Sequence, residues 1–320
     1  MNAAKPLLEV HGLSAGYGPE KIVADVSLAL RPGEILCLVG ESGCGKSTLL
    51  KALHGTVPGL RLHAGTIALE GTDLSGLSVR EARRLRSERI GYVFQDPGSA
   101  FNPIRSYRRQ FIETLKSHGK YDRKAFPDAV RDAFAKLGLR DVDRILKSCP
   151  YEMSGGMNQR IALALALLLG QRLLFADEPT SALDATIQRR VADELKRLRD
   201  EEGIAQIIVT HNLALAQYLA DRIGVMYAGR LAELGPGADV IARPRHCYTE
   251  CLLDAVPGLD GEMPYSVPGQ PPRGGVRETG CAFFERCPRR VEACASAGYA
   301  LADLGNGHYS SCALLNGGLL

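Results

Sequence analysis

Nine residues, GESGCGKST from Gly40 to Thr48, constrain this chain more than any other stretch. They follow the apolar run EILCLV and lead into LLKALHG, so they sit between a strand pattern and a helix pattern. In that setting G-x-x-x-x-G-K-[ST] is a phosphate cradle rather than a chance glycine-rich turn. Glycines let successive backbone N–H groups turn inward as an anion nest, and the helix start adds partial positive charge. Gly40, Ser42, Gly43, Gly45 and Thr48 are expected to shape and line the cradle. Lys46 is expected to reach the β- and γ-phosphates, and the Ser47 hydroxyl to ligate Mg²⁺.

Such a cradle needs a carboxylate on a neighbouring strand to help hold the metal. LLFADEP supplies Asp177 at a strand end, with Glu178 beside it. Adjacent acids at a strand terminus splay apart and can divide the work. Asp177 is expected at Mg²⁺, and Glu178 is expected to align and deprotonate the attacking water. The plainer reading of the pair is an acidic cap on the next helix. A second anion element is MSGGMNQR, whose Ser154, Gly155 and Gly156 precede the apolar run IALALALLL. Free N–H groups and a positive helix end form an anion site there, although an ordinary serine cap would look the same.

Three apolar runs, EILCLVG (34–40), RLLFADE (172–178) and AQIIVTH (205–211), predict buried parallel strands separated by helical patterns. That alternation is an α/β domain. LLEVHGL, VADVSLALRPGE and GTIALEG alternate more and predict an antiparallel subsheet, and IGVMYAGRLAELG predicts a hairpin around Ala228-Gly229. From about Pro97 to Cys149 strand signals are weak and VRDAFAKLGL has helical spacing, so a helical insertion is expected. The basic stretch VREARRLRSERIG mixes in glutamates and reads as a solvated helix face. Residues 257–275 carry proline or glycine at ten of nineteen positions, which predicts an extended linker. The boundaries expected are therefore a nucleotide-binding domain over 1–256, with its helical subdomain at about 97–160, and a linker plus cysteine-rich extension over 257–320.

A formal net charge of +3 over 320 residues, with the basic residues dispersed, gives no basis for nucleic-acid binding. The N-terminal MNAAKPLLEV lacks an apolar signal region, and the longest apolar run, Ile161–Leu169, is about half a bilayer span. The chain is expected to stay in the cytosol unless a partner holds it at a membrane. Nine cysteines in that compartment are expected as thiols. Cys281, Cys287, Cys294 and Cys312 are separated by five, six and seventeen residues. Four thiolates suit an iron–sulfur cluster or a tetrahedral zinc, and intervals wider than C-x-x-C favour the cluster. Cys149, Cys247 and Cys251 show no ligand spacing, Cys37 reads as core, and Cys44 fills a variable cradle position.

GESGCGKST, Gln95 in YVFQDP, MSGGMNQR, LLFADEP, SALD and His211 in VTHN occur in the order of ATP-binding cassette (ABC) ATPases, a resemblance covering about residues 7–245. It implies a P-loop α/β fold with a RecA-like core, an antiparallel β subdomain and a helical insertion. It implies ATP and Mg²⁺ as ligands, with the serine–glycine stretch contacting nucleotide held by a second ATPase subunit, identical or paralogous. Tyr17 in SAGYG would stack on adenine, and Gln95 would sense Mg²⁺ and water and couple to a transmembrane permease. Asp184 would cross the dimer interface, and His211 would hold the γ-phosphate. Met153 and Met157 stand where many members have leucine and glutamine, with Gln159 two residues further on. PGQPPR, QDPGSAFNPI, the SGGM methionine and the four tail cysteines resemble the oligopeptide/dipeptide importer ATPases, whose tail cysteines are associated with a [4Fe–4S] cluster. The expected function is a peripheral ATPase on the cytoplasmic face of the inner membrane. It would serve permease subunits and, through them, a substrate-binding protein, to import peptides or a related small solute. The alternatives are a nickel or metallophore importer ATPase, and a soluble cassette ATPase of translation or DNA repair.

Overall fold

The computed structural model describes residues 5–55, 57–95, 97–181, 185–256, 267, 269–270, 272 and 276–316. Strands β1 (Leu8–Tyr17), β2 (Glu20–Leu30) and β3 (Ile35–Val39) come first, followed by α1 (Lys46–His54), β4 (Leu60–Leu69) and β5 (Thr72–Asp73). Helix α2 (Val79–Arg89) runs into β6 (Ile90–Val93). Then come α3 (Tyr107–Ser117), α4 (Phe126–Lys136), α5 (Val142–Lys147) and α6 (Gly155–Leu168). The chain continues through β7 (Leu173–Asp177), α7 (Ala185–Glu202), β8 (Ala205–Val209) and α8 (Leu213–Leu219). A hairpin of β9 (Arg222–Tyr227) and β10 (Arg230–Pro236) precedes α9 (Gly237–Ala242) and α10 (Cys247–Asp254). The tail adds β11 (Ala302–Asp303), β12 (Tyr309–Ser310) and α11 (Ala313–Asn316). Among the described residues no helix is long and apolar enough to cross a membrane.

These elements form two compact units, Met1–Leu77 with Val209–Leu320, and Ser78–Ile208. In the first unit a four-stranded antiparallel sheet runs β2-β1-β4-β5. Its central strand β1 pairs Leu8 with Leu30 on one side and with Leu69 on the other, and Leu8, Val10, Leu13 and Ala15 are fully buried. Alternation of apolar and polar residues suits a sheet with one covered face. A second sheet in this unit places β9 parallel to β3 and continues through β10 and β12 to β11. All five residues of β3, ILCLV, are buried, as a strand covered on both faces requires.

Ala228 and Gly229 turn the β9–β10 hairpin with φ of 45° and 79°, the pair of positive values a type I′ turn needs. Only glycine fits the second position, because a Cβ there would lie 2.2 Å from the Ile22 carbonyl. The Gly229 carbonyl accepts from Ala24 N at 2.9 Å, and its N–H donates to Cys44 O at 2.9 Å. The hairpin tip thus braces both β2 and the glycine-rich loop. On β10, Glu233 is completely buried; its Oε1 accepts from Arg245 N at 2.8 Å and lies 2.7 Å from His308 Nε2 of the tail. Burial raises the pKa of that carboxyl.

In the second unit β8, β7 and β6 lie side by side, with β6 parallel to β7. Strand β6 was not expected: its four residues, IGYV, follow directly on a charged helix and carry too little pattern to stand out. Tertiary contacts fix it, since Gln171 Nε2 donates to Ser87 O and Ile90 O at 3.2 and 2.8 Å. Helix α2 is closed by a Ser78–Glu81 capping box and buries only Ala82, the solvated helix its sequence suggests. Helices α3 to α6 fill the region expected to be helical. Their aromatic centre joins Phe101 to Tyr107 at 5.1 Å and Phe111 to Phe134 at 6.1 Å between ring centroids.

Glu194 on α7 has a side chain only 12% exposed, with Arg160 at 3.8 Å and no hydrogen-bond partner for Oε2 among the described residues. Burial pushes its carboxyl up to about 7. Between its ordinary value and about 7 the folded state binds the extra proton, so stability falls as pH rises through that window and levels off above it. Glu194→Gln is expected to flatten this slope and to stabilise the chain at pH 8 by about 1–3 kcal/mol. Denaturant titrations at pH 5.5 and 8 read it; identical slopes for both proteins would refute the assignment.

Candidate nucleotide-binding site

The loop after β3 is shaped by three glycines with positive φ: Gly40 at 148°, Gly43 at 80° and Gly45 at 103°. A Cβ on Gly40 would stand 2.2 Å from Met226 O, so the loop's first turn presses directly on β9. Lys46 is buried, and its Nζ donates to the carbonyls of Gly40 and Glu41 at 2.8 Å each and contacts Cys44 Sγ at 3.6 Å. The ammonium is thereby fixed within the loop. Burial raises the pKa of the Cys44 thiol and keeps it neutral beside that charge. Helix α1 opens on Gly45, which has no side chain to cap it, and no acidic residue stands in its first turn. Its free N–H groups and dipole therefore favour an anion, with Ser47 and Thr48 half-buried on the same turn and Ser42 exposed ahead of it.

Two further candidate residues, Tyr17 and His211, lie in this unit. Tyr17 ends β1 and is 42% exposed, free of the core and open to stacking. His211 is exposed just beyond β8, after Thr210, whose N–H donates to Leu38 O of β3 at 3.0 Å. The sheet thus presents His211 at the end of a strand, on a loop whose Asn212 caps α8.

In the second unit the structure gathers Gln95, Asp177 and Glu178. Asp177, the last residue of β7, is buried, and its Oδ2 accepts from the Tyr92 hydroxyl at 3.2 Å. Glu178 adopts φ of +47°, a left-handed backbone that costs a non-glycine residue about 1–3 kcal/mol. The twist separates the two carboxylates and brings Glu178 Oε2 within 3.4 Å of Gln95 Nε2. Its backbone carbonyl accepts from the Ser181 N–H and hydroxyl, both at 3.2 Å, which holds the unusual turn. Tyr92 was not anticipated, because nothing in IGYVFQ marks it as the partner of an acid 85 residues later.

Ser154 caps α6, accepting from Met157 N at 3.4 Å, and it is exposed together with Gly155. Gly156 is buried for packing: a Cβ there would meet Ile187 Cγ2 at 3.1 Å. The helix start is therefore both an ordinary serine cap and an exposed N-terminal end without an acidic residue. Asn158 is buried and hydrogen-bonds to Pro150 O and the Tyr107 hydroxyl. Gln159 is only 1% exposed, so it cannot replace a glutamine at the open end of the helix. Asp184 lies outside the described residues.

Among the described residues no tail cysteine is in a disulfide. Cys281 N donates to Cys294 O at 2.8 Å, and the Cys247 thiol at the start of α10 lies within interaction range of both Cys287 and Cys312. Cys247, discounted in the sequence for want of spacing, is thus a fifth member of the group. Among the described residues no set of three or more His, Cys, Asp or Glu is arranged to hold a metal ion.

Residues 23–181 match the family described as ABC transporter, and residues 232–294 match the oligopeptide/dipeptide transporter C-terminal region. A peptide import ATP-binding protein of Brucella ovis is 38% identical over 329 residues, spanning 96% of this chain and 97% of the relative. The dipeptide transport ATP-binding protein DppD of Bacillus subtilis is 39% identical over 296 residues, spanning 90% and 88%. Among solved structures, the dimeric structure of the bacterial ABC transporter cassette MJ0796 superposes with a TM-score of 0.63 at 25% identity, covering 72% of this chain and 98% of that one. The chain belongs to the ABC transporter family of ATP-binding proteins, in the branch that carries the oligopeptide/dipeptide transporter C-terminal region.

Proposed function

We propose that this chain hydrolyses ATP to power import of di- or oligopeptides, or a related small solute, through permease subunits. The observation that carries the reading is the trio in the second unit, a buried Asp177 beside a backbone-strained Glu178 within reach of Gln95. The glycine turns and Lys46 hold the β- and γ-phosphates, and Tyr17 stacks on the adenine. Ser47, Asp177 and Gln95 offer only oxygen donors, the set that suits the hard Mg²⁺ ion. Bound there, Mg²⁺ would neutralise charge on the phosphates. Glu178 takes a proton from water as the water oxygen attacks the γ-phosphorus and the bond to the β-phosphate oxygen breaks, releasing ADP. Gln95 orients that water, and His211 steadies the γ-phosphate.

Ser154, Gly155 and Gly156 serve the nucleotide of a second ATPase subunit, identical or paralogous, with Asp184 near that interface. The dimeric form of MJ0796 supports such pairing. A peripheral position on the cytoplasmic face of the inner membrane follows from the need for permease partners, which a substrate-binding protein would supply with cargo. The names of the Brucella ovis and Bacillus subtilis relatives support peptides as that cargo. In Glu178→Gln, hydrolysis is expected to fall about 10²–10⁴-fold while ATP binding persists and a closed dimer accumulates, read by phosphate release and light scattering. Turnover near that of the unaltered protein would remove Glu178 from its role.

For the tail, four thiols at intervals of five, six and seventeen residues support a [4Fe–4S] cluster on Cys281, Cys287, Cys294 and Cys312, with tetrahedral zinc as the alternative donor match. Protein purified without oxygen is expected to be brown, with about four iron and four acid-labile sulfide per chain. Colourless protein carrying one zinc, or no metal at all, would overturn the cluster.

A further inference from the structure

The structure points to a residue outside every motif above that acts on the phosphate loop. Glu41 follows Gly40 in that loop, and each of its polar groups is engaged. Its carbonyl accepts from Lys46 Nζ at 2.8 Å, and its N–H donates to the Tyr248 hydroxyl at 2.9 Å. Its carboxylate is gripped by both arms of Arg286, Nη1 to Oε2 at 2.7 Å and Nη2 to Oε1 at 2.8 Å. Arg286 belongs to the tail, in the short 3₁₀ turn Phe284–Arg286 immediately before Cys287. It is 7% exposed, donates also to the Tyr227 hydroxyl at 3.2 Å, and lies 5.7 Å from the Tyr227 ring and 5.8 Å from the Phe283 ring. Tyr227, Tyr248 and Phe283 pack together with ring centroids 4.6 to 5.3 Å apart. The guanidinium is thus locked on a rigid aromatic wall and forked onto one carboxylate.

We propose that Arg286 is a positioning residue for nucleotide binding, acting through Glu41. Two effects follow from the geometry. The fork fixes the residue whose carbonyl anchors the Lys46 ammonium. It also cancels a carboxylate that would otherwise repel phosphates bound in the neighbouring nest. The tail's cysteine-rich turn therefore reports to the phosphate loop through the Arg286–Glu41 ion pair, and displacement of that turn weakens the grip on nucleotide rather than the chemical step.

This rests on the nucleotide reading above, and the test separates the two. MgATP hydrolysis and binding of a fluorescent ATP analogue are measured for the unaltered full chain, Arg286→Ala, Arg286→Lys and the double variant Glu41→Gln/Arg286→Ala. Arg286→Ala is expected to raise KM and the analogue's Kd about tenfold or more, with kcat within about threefold, because it leaves Glu41 uncompensated. Arg286→Lys keeps the charge but loses the fork, so its values are expected in between. The double variant is expected to recover most of the lost affinity, which a purely structural role would not produce. Should Arg286→Ala not fold, the lysine and double variants carry the test. Unchanged KM and Kd in the Arg286 variants, or a double variant no better than Arg286→Ala, would overturn the inference. An unaltered chain that neither binds nor hydrolyses MgATP would overturn the nucleotide reading instead.

Discussion

The phosphate loop is held in shape by backbone pressed against backbone. Gly40 lies so close to Met226 O, and Gly229 so close to Ile22 O, that a Cβ at either would sit 2.2 Å from a carbonyl oxygen. Gly45 is nearly as tight, 3.2 Å from Ile22 O and 3.4 Å from Gly229 Cα by the same measure. Three absent side chains let the loop, the tip of the β9–β10 hairpin and β2 meet. That meeting allows the Gly229 N–H to hold Cys44 O, and it brings the Gly40 and Glu41 carbonyls around Lys46. The ammonium and the helix end then concentrate positive potential in one turn of chain.

Within the second unit, backbone strain places the acids Asp177 and Glu178. Glu178 is one of six described non-glycine residues with positive φ, and it follows a strand whose five residues are all buried. A left-handed residue at that point turns the chain so that neighbouring acids face different partners, Tyr92 for Asp177 and Gln95 for Glu178. Local strain of this kind persists only where surrounding contacts enforce it, and here Ser181 closes the turn from both its N–H and its hydroxyl.

What could be read from the sequence was whatever depends on local pattern. The runs ILCLV, LLFAD and AQIIV are buried strands because apolar residues fill their covered faces but for Asp177 and Gln206, the latter donating its Nε2 to Leu195 O at 2.6 Å. Gly229 marks a hairpin turn because its positive φ and the nearby Ile22 carbonyl leave no room for a side chain, while Ala228 is carried into positive φ beside it. The glycines, Lys46, Asp177 and Glu178 stood out as candidates because phosphate chemistry favours those types at those spacings. Strand β6 was not legible: its pairing comes from β7 and its anchor from Gln171, both about eighty residues away. Arg286 and Cys247 were hidden for the same reason, since their partners Glu41 and Cys312 are distant in sequence and leave no periodic mark. Gln159, by contrast, was a polar residue near a motif that helix geometry turned inward.

The buried Glu233 gives the last forty residues a standing that their small strands conceal. Its carboxylate sits inside β10, yet one of the groups that make it tolerable there, His308, is supplied by the tail, and Ser310 on β12 pairs with it across the ladder. Excising the tail would bare a sheet edge and strand an acid in a hydrocarbon interior. Strand β10 and the appendage therefore share a buried polar pair, so shortening the polypeptide subtracts a hydrogen-bond partner and not merely a flap.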